Sequence, residues 1–108
     1  MRVSSLNGSH QLCIFDQWCD RDLGAPLHLH AVEEVLEVMD GTAEIYRGDE
    51  TLVATADQSV IIPAGCRHGF RNIGNGKLHV RATLAAPIFE ATYDNRDELS
   101  RRWVPTPP

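Results

Sequence analysis

The stretch Pro26-Leu27-His28-Leu29-His30-Ala31-Val32-Glu33-Glu34-Val35-Leu36-Glu37-Val38-Met39-Asp40-Gly41 decides the reading of this chain. On an extended strand, residues i and i+2 face the same side. His28 and His30 therefore project together while Leu29 points away. A short turn, Ala31-Val32-Glu33, follows, and Glu34 opens the next strand. Glu34 shares a face with Leu36 and Val38, and Glu37 takes the opposite one. Two imidazoles and a carboxylate brought together across such a hairpin are three of the ligands that a divalent transition metal takes. Glu33 adjoins this set and reads as a solvated turn residue.

Downstream, Pro63-Ala64-Gly65-Cys66-Arg67-His68-Gly69-Phe70-Arg71-Asn72 gives a turn and a returning strand. Pro fixes φ and Gly supplies a left-handed conformation, so Pro-Ala-Gly suits a tight reversal. His68 alternates with Phe70 on one face, and Arg67 and Arg71 fall on the other. A barrel that folds this strand pair over the first adds His68 as a third imidazole.

Around these pieces, apolar segments of about five to seven residues are cut by turn residues. The cuts include Asn7-Gly8, Gly24-Ala25-Pro26, Asp40-Gly41, Gly48-Asp49 and Ile73-Gly74-Asn75-Gly76. That rhythm is the signature of an all-β sandwich or barrel. Strands are expected at about 11–17, 26–31, 34–40, 42–47, 51–55, 59–63, 67–72, 78–84 and 88–93. Asp40-Gly41 is a hairpin turn pair. Asn95–Trp103 is the one place where a short C-terminal helix is expected, capped by Asp94 or Asn95. Phe15, Leu36, Val38, Ile45 and Phe70 are candidate interior residues.

The two motifs resemble those of the cupin superfamily. His28-x-His30-x3-Glu34-x6-Gly41 matches the first cupin motif, and Pro63-x-Gly65-x2-His68-x3-Asn72 matches the second. About 15 residues separate Gly41 from Asp57, the position that opens the second motif. Two positions depart from the family pattern. Three residues separate Gly24 from His28, where the family pattern has five between its glycine and the first histidine. Asp57 takes the place of the glycine that opens the second motif, a turn position where Asp tolerates positive φ. The resemblance spans roughly residues 10–93. It implies a small single-domain cupin over residues 1–108, with a barrel core at about 10–93 and a C-terminal extension at 94–108. The fold implied is a double-stranded β-helix, or jelly roll, with the metal in its mouth. His28, His30, Glu34 and His68 are the implied ligands, and Fe, Mn, Ni or Zn the implied divalent ion. The activity implied is small-molecule chemistry of the oxygenase or isomerase/lyase kind. The alternative is a non-catalytic module for a small ligand such as a sugar or an organic acid. Catalytic residues beyond the ligands are not identified, since no clear general base or nucleophile stands out.

Leu36 and Phe70 are close enough to the ligands to shape a cavity. His79, Arg81 and Thr83 share one face of a late strand, opposite Leu78, Val80, Ala82 and Leu84. The apolar set is the natural core face, which sends the polar trio outward. In the opposite orientation, Arg81 becomes a pocket residue and an anion anchor. Trp18 and Trp103 are candidate partner-facing anchors of a homodimer.

The 108 residues suit one domain. The formal net charge is −5 and Lys77 is the single lysine, which excludes a basic nucleic-acid surface. No apolar run is long enough to span a bilayer. No h-region follows Met1-Arg2-Val3-Ser4-Ser5, so the expected compartment is the cytoplasm. Cys13, Cys19 and Cys66 read as packing residues or free thiols.

Overall fold

A computed structural model describes residues 1–94 and 98–106. Among them, ten strands run in chain order: β1 (Cys13–Cys19), β2 (Gly24–Leu29), β3 (Glu34–Asp40), β4 (Thr42–Arg47), β5 (Glu50–Thr55), β6 (Ser59–Ile62), β7 (His68–Asn72), β8 (Leu78–Leu84), β9 (Phe89–Tyr93) and β10 (Leu99–Arg102). A single 3-10 turn, Ser5–Asn7, precedes them, capped by the Ser4 side chain. The strands form two antiparallel sheets, ordered β1-β8-β3-β6 and β10-β9-β2-β7-β4-β5. The architecture is an all-β jelly roll.

Alternation explains which face of each strand is buried. In β8, Leu78, Val80, Ala82 and Leu84 are buried while His79, Arg81 and Thr83 are only partly covered. β3 repeats the pattern with Glu34, Leu36 and Val38 inward. These side chains meet Phe15, Ile45, Phe70 and Phe89 between the sheets. Neither the turn at 31–33 nor Asp40-Gly41 closes a hairpin, because β2 and β4 belong to the six-stranded sheet and β3 to the four-stranded one; Gly41, whose φ of +92° suits glycine, carries the chain from one sheet to the other. Asp57 has φ +71°, so an aspartate here performs the turn that the family assigns to glycine.

Asn72, the last residue of the second motif, is fully buried. Its Nδ2 donates to the Cys19 and Gly76 carbonyls (3.0 and 2.8 Å), and its Oδ1 accepts from the Gly74 amide (2.9 Å). A buried amide with its donors and acceptor satisfied fastens the loop after β7 to the end of β1.

Three further expectations are corrected. The segment 99–102 is not helical: it pairs with β9, with Leu99 opposite Thr92 and Arg102 opposite Phe89. Ladder hydrogen bonds to an available strand edge outweigh the weak helical propensity of a short polar segment. Asn95 lies outside the described residues, while Asp94 forms an ion pair with Arg67 (2.8 Å). Trp103 is only partly exposed, packing against Phe15 and Phe89 with ring centroids at 5.2 and 6.1 Å. Arg81 lies on the outer face of the four-stranded sheet, away from the cavity. There it donates to Asp16 (3.0 Å), which also accepts from His79 (2.9 Å) and Arg2. Burial pushes the Asp16 carboxyl up, but the hydrogen bonds from His79, Arg2 and Arg81 dominate and hold it at about 2. Trp18 is exposed on the same outer face and stacks on His79 with centroids 4.6 Å apart.

Among the described residues, no helix is long and apolar enough to cross a membrane. The cysteines are free, and burial pushes the Cys13 thiol up to about 11, which makes it a packing residue.

Candidate metal centre

Three neighbouring elements deliver the cluster. His28 sits on β2 directly opposite His68 on β7. His30 follows one residue beyond the end of β2, and Glu34 opens β3. All four side chains are buried, with exposures of 6% or less. One donor atom from each lies within 4.8 Å of the others. Ligands on opposite sides of an ion with bonds of about 2.1 Å stand about 4.2 Å apart, so small adjustments bring all four onto one centre.

The hydrogen bonding of the rings defines their chemistry. His28 Nδ1 donates to the Pro26 carbonyl (2.6 Å), His30 Nδ1 to the Glu90 carbonyl (2.7 Å), and His68 Nδ1 to the Cys66 carbonyl (2.9 Å). A carbonyl only accepts, so each Nδ1 carries the proton and each Nε2 of a neutral ring presents a lone pair. Backbone carbonyls orienting imidazoles in this way are the usual outer shell of metal-binding histidines.

The Nε2 atoms of His30 and His68 face Glu34. His68 Nε2 lies 2.8 Å from Glu34 Oε1, and His30 Nε2 lies 3.4 Å from Glu34 Oε2. His30 Nε2, His68 Nε2 and Glu34 Oε1 are buried without a hydrogen-bond partner. Lone pairs this close repel unless a cation sits among them. Either a proton or a metal ion resolves the contact, so the donor set fits a metal.

With protons alone, the groups respond as their surroundings dictate. Burial drives the His28 imidazole down to about 4. Burial also pushes His30 down, but the Glu34 carboxylate bonded to it outweighs that and leaves His30 above its ordinary value. For Glu34, burial acts upward and is overcome by the two imidazoles, which hold the carboxyl at about 2. Glu34 is therefore ionised at neutral pH, and His30 is the ring on which protons compete best with a metal. Metal affinity is expected to weaken as pH falls through the raised His30 value, by about tenfold per pH unit once one proton must be displaced. Zinc titrations against a competing chelator at pH 6, 7 and 8 measure this; equal affinities at all three would contradict it.

The cavity beside the cluster is lined by Phe15, Leu36, Phe70 and Phe89, with Gln17, Tyr93 and Arg102. Leu36 and Phe70 are on this cavity's wall, and Arg81 is not. Its volume is ≈ 30 Å³, room for an ion and a few further atoms. The Tyr93 ring lies against His28 with centroids 5.1 Å apart. Arg102 escaped the sequence reading because a helix over Asn95–Trp103 gives no inward-outward alternation. Only the pairing of β10 with β9 reveals which arginine faces the cavity.

A cupin domain family model matches residues 21–85, and the chain belongs to that family. A xanthan biosynthesis protein, XanB, of Xanthomonas campestris pv. campestris (strain B100) is 44% identical over 79 residues. That match covers 73% of this chain and 16% of XanB, so the chain spans about a sixth of that relative's length. Among solved structures, an oxalate decarboxylase from Lactobacillus farciminis, in a formate complex, superposes with a TM-score of 0.80 at 20% identity. That superposition covers 86% of this chain and 30% of the other. A conserved protein with a double-stranded β-helix domain from Klebsiella pneumoniae gives 0.69 at 18% identity, over 73% of this chain and 70% of the other. Both superpositions establish the double-stranded β-helix.

Proposed function

We propose that the chain holds one divalent transition metal, Fe, Mn, Ni or Zn, through His28, His30, Glu34 and His68, and uses it on a small molecule. One observation carries this reading. Three buried imidazoles have their Nδ1 atoms committed to backbone carbonyls, the Nε2 atoms of His30 and His68 meet a buried carboxylate, and one donor atom of each of the four residues lies within 4.8 Å of the others. A bound ion of this class supplies Lewis acidity, or oxygen binding where it is iron.

The chain's own residues supply positioning and exclusion of water. Phe15, Leu36, Phe70 and Phe89 keep the approach to the cluster apolar. Glu34 is the acceptor that stays charged, so it offers the ion a fixed negative partner. The backbone carbonyls of Pro26, Cys66 and Glu90 hold the rings in one tautomer and orientation. The fold shared with an oxalate decarboxylase and the sequence similarity to a xanthan biosynthesis protein support oxygenase or isomerase/lyase chemistry on a small acid or a carbohydrate.

A second reading, a binding module without turnover, is favoured by the cavity's ionisable groups. Besides the candidate ligands His28, Glu34 and His68, no histidine or carboxylate lines it among the described residues. A cytoplasmic homodimer that meets no nucleic acid, with Trp18 at the contact between copies, belongs to both readings. Oxygen uptake and product formation by the metal-loaded protein, on a panel of small acids, phenols and sugars, separate the two. Turnover that disappears on chelation supports the enzyme; saturable binding with no product on any of them supports the module.

A further inference from the structure

We infer that Arg102 is the anchor for an anionic group, a carboxylate or a phosphate, on the ligand that enters the cavity. The inference rests on reading this cavity as the ligand site and adds the charge class of that ligand.

The register of β10 against β9 places the side chain. Arg101 stands opposite Glu90 and Arg102 opposite Phe89. Successive side chains alternate in direction. Arg101 reaches the Glu90 carboxylate (2.7 Å), whereas Arg102 turns to the cavity wall. Its guanidinium carbon lies 5.3 Å from the centroid of the Phe89 ring. A guanidinium held over an aromatic face keeps its N–H edge free for a planar anion.

That edge has no protein partner among the described residues. Arg2 and Arg81 meet Asp16, Arg47 meets Glu50, Arg67 meets Asp94, and Arg71 meets Glu44. Arg21 reaches the Asn75 side-chain oxygen (3.4 Å). Arg102 alone of the described arginines faces neither a carboxylate nor an amide oxygen, and it is the one that lines the cavity. The charges around it leave it uncompensated. Among the described residues Glu34 is the only acid lining the cavity, and its carboxylate is engaged by His30 and His68. A chain with net charge −5 therefore presents a guanidinium at this opening. Beyond it the walls are Phe15, Leu36, Phe70 and Phe89. Such a site suits a ligand with one anionic end and a small apolar body. Arg102 also lies outside residues 21–85, the segment that matches the family, so it is a feature of this chain's own C-terminal strand.

The test uses the full chain loaded with zinc, which is diamagnetic. Dissociation constants for propionate, propionamide and methyl phosphate are read from NMR titrations, with the Arg102 side-chain Nε–H resonance as the local reporter. Parent, Arg102→Gln and Arg102→Lys proteins are compared, each checked for zinc content and melting temperature. The expected result is that Arg102→Gln weakens the anions about tenfold or more and leaves propionamide within about twofold. Arg102→Lys should retain part of the affinity as a point charge. Whichever of propionate and methyl phosphate loses more identifies the anion. Unchanged anion affinity in Arg102→Gln, with zinc retained, overturns the assignment and leaves the metal centre standing. An Arg102-dependent preference for anions in protein that takes up no zinc supports the assignment while overturning the metal centre.

Discussion

Replacing Glu34 with Gln is expected to weaken metal binding at least a hundredfold, about 2.8 kcal/mol. Gln matches Glu in size, so the packing of this buried position is kept. What changes is charge and hydrogen bonding. The ion loses its one anionic ligand, and an amide NH₂ now points towards imidazole nitrogens that the metal needs. Disturbing the outer shell of a metal site alone costs about 10–100-fold, so loss of a direct ligand lies at or beyond the top of that range. The metal-free variant carries a second signature. Glu34 is held at about 2 in the folded protein, below its ordinary value of 4.5. A carboxyl depressed on folding contributes stability above its unfolded value and loses it as pH falls towards the folded one. Urea unfolding of chelated proteins should therefore show Glu34→Gln less stable than the parent at pH 7, with the gap narrowing between about pH 4.5 and 2. A gap that stays constant across that range would mean that the imidazoles do not stabilise the carboxylate.

The second large effect belongs to the frame that carries the cluster. A Cβ added at Gly24 would lie 2.0 Å from the Phe70 carbonyl oxygen and 2.9 Å from Arg71 Cα. Both are backbone atoms of β7, so no side chain can swing aside. β2 bears His28 and β7 bears His68, and the two strands pair beside this point, Gly24 opposite Arg71. Gly24→Ala must push the strands apart, and the expected loss of stability is about 3 kcal/mol or more, at the upper end of overpacking costs. Gly76→Ala is the matched control. Nothing lies within 4 Å of a Cβ there. It should remain within about 0.5 kcal/mol of the parent. Denaturant titration of both variants decides this, and similar midpoints would show that the β2–β7 contact yields more readily than its backbone geometry implies.

Gly24 also shows why the sequence was informative and where it stopped. Its separation from His28 by three residues departs from the family spacing. The structure explains the need for a glycine by close backbone approach at a strand pair that shifts register between Ala25 and His28. No spacing rule encodes that contact. The strands β3, β4 and β8 were legible to the residue, because alternation and the Asp40-Gly41 turn are local signals. The grouping of His28, His30 and Glu34 was legible for the same reason, since strand periodicity and one short turn bring them together. His68 required the family resemblance, because its contact crosses from one motif to another. Alternation in β8 favours Arg81 on the outer face, where Asp16 receives it, whereas the polar segment around Arg102 carries no such signal, and its place at the cavity depends on Phe89 across the β9–β10 ladder. Trp103 follows from the same pairing: once β10 lies along β9, its indole is carried onto Phe15 and Phe89.

Elemental analysis of the untagged protein, purified without chelator, tests the central claim most directly, beside a His28→Ala/His68→Ala double variant. The account predicts about one equivalent of Fe, Mn, Ni or Zn in the parent and close to none in the variant. A parent that holds no metal after reconstitution, or a variant that holds as much as the parent, would contradict it.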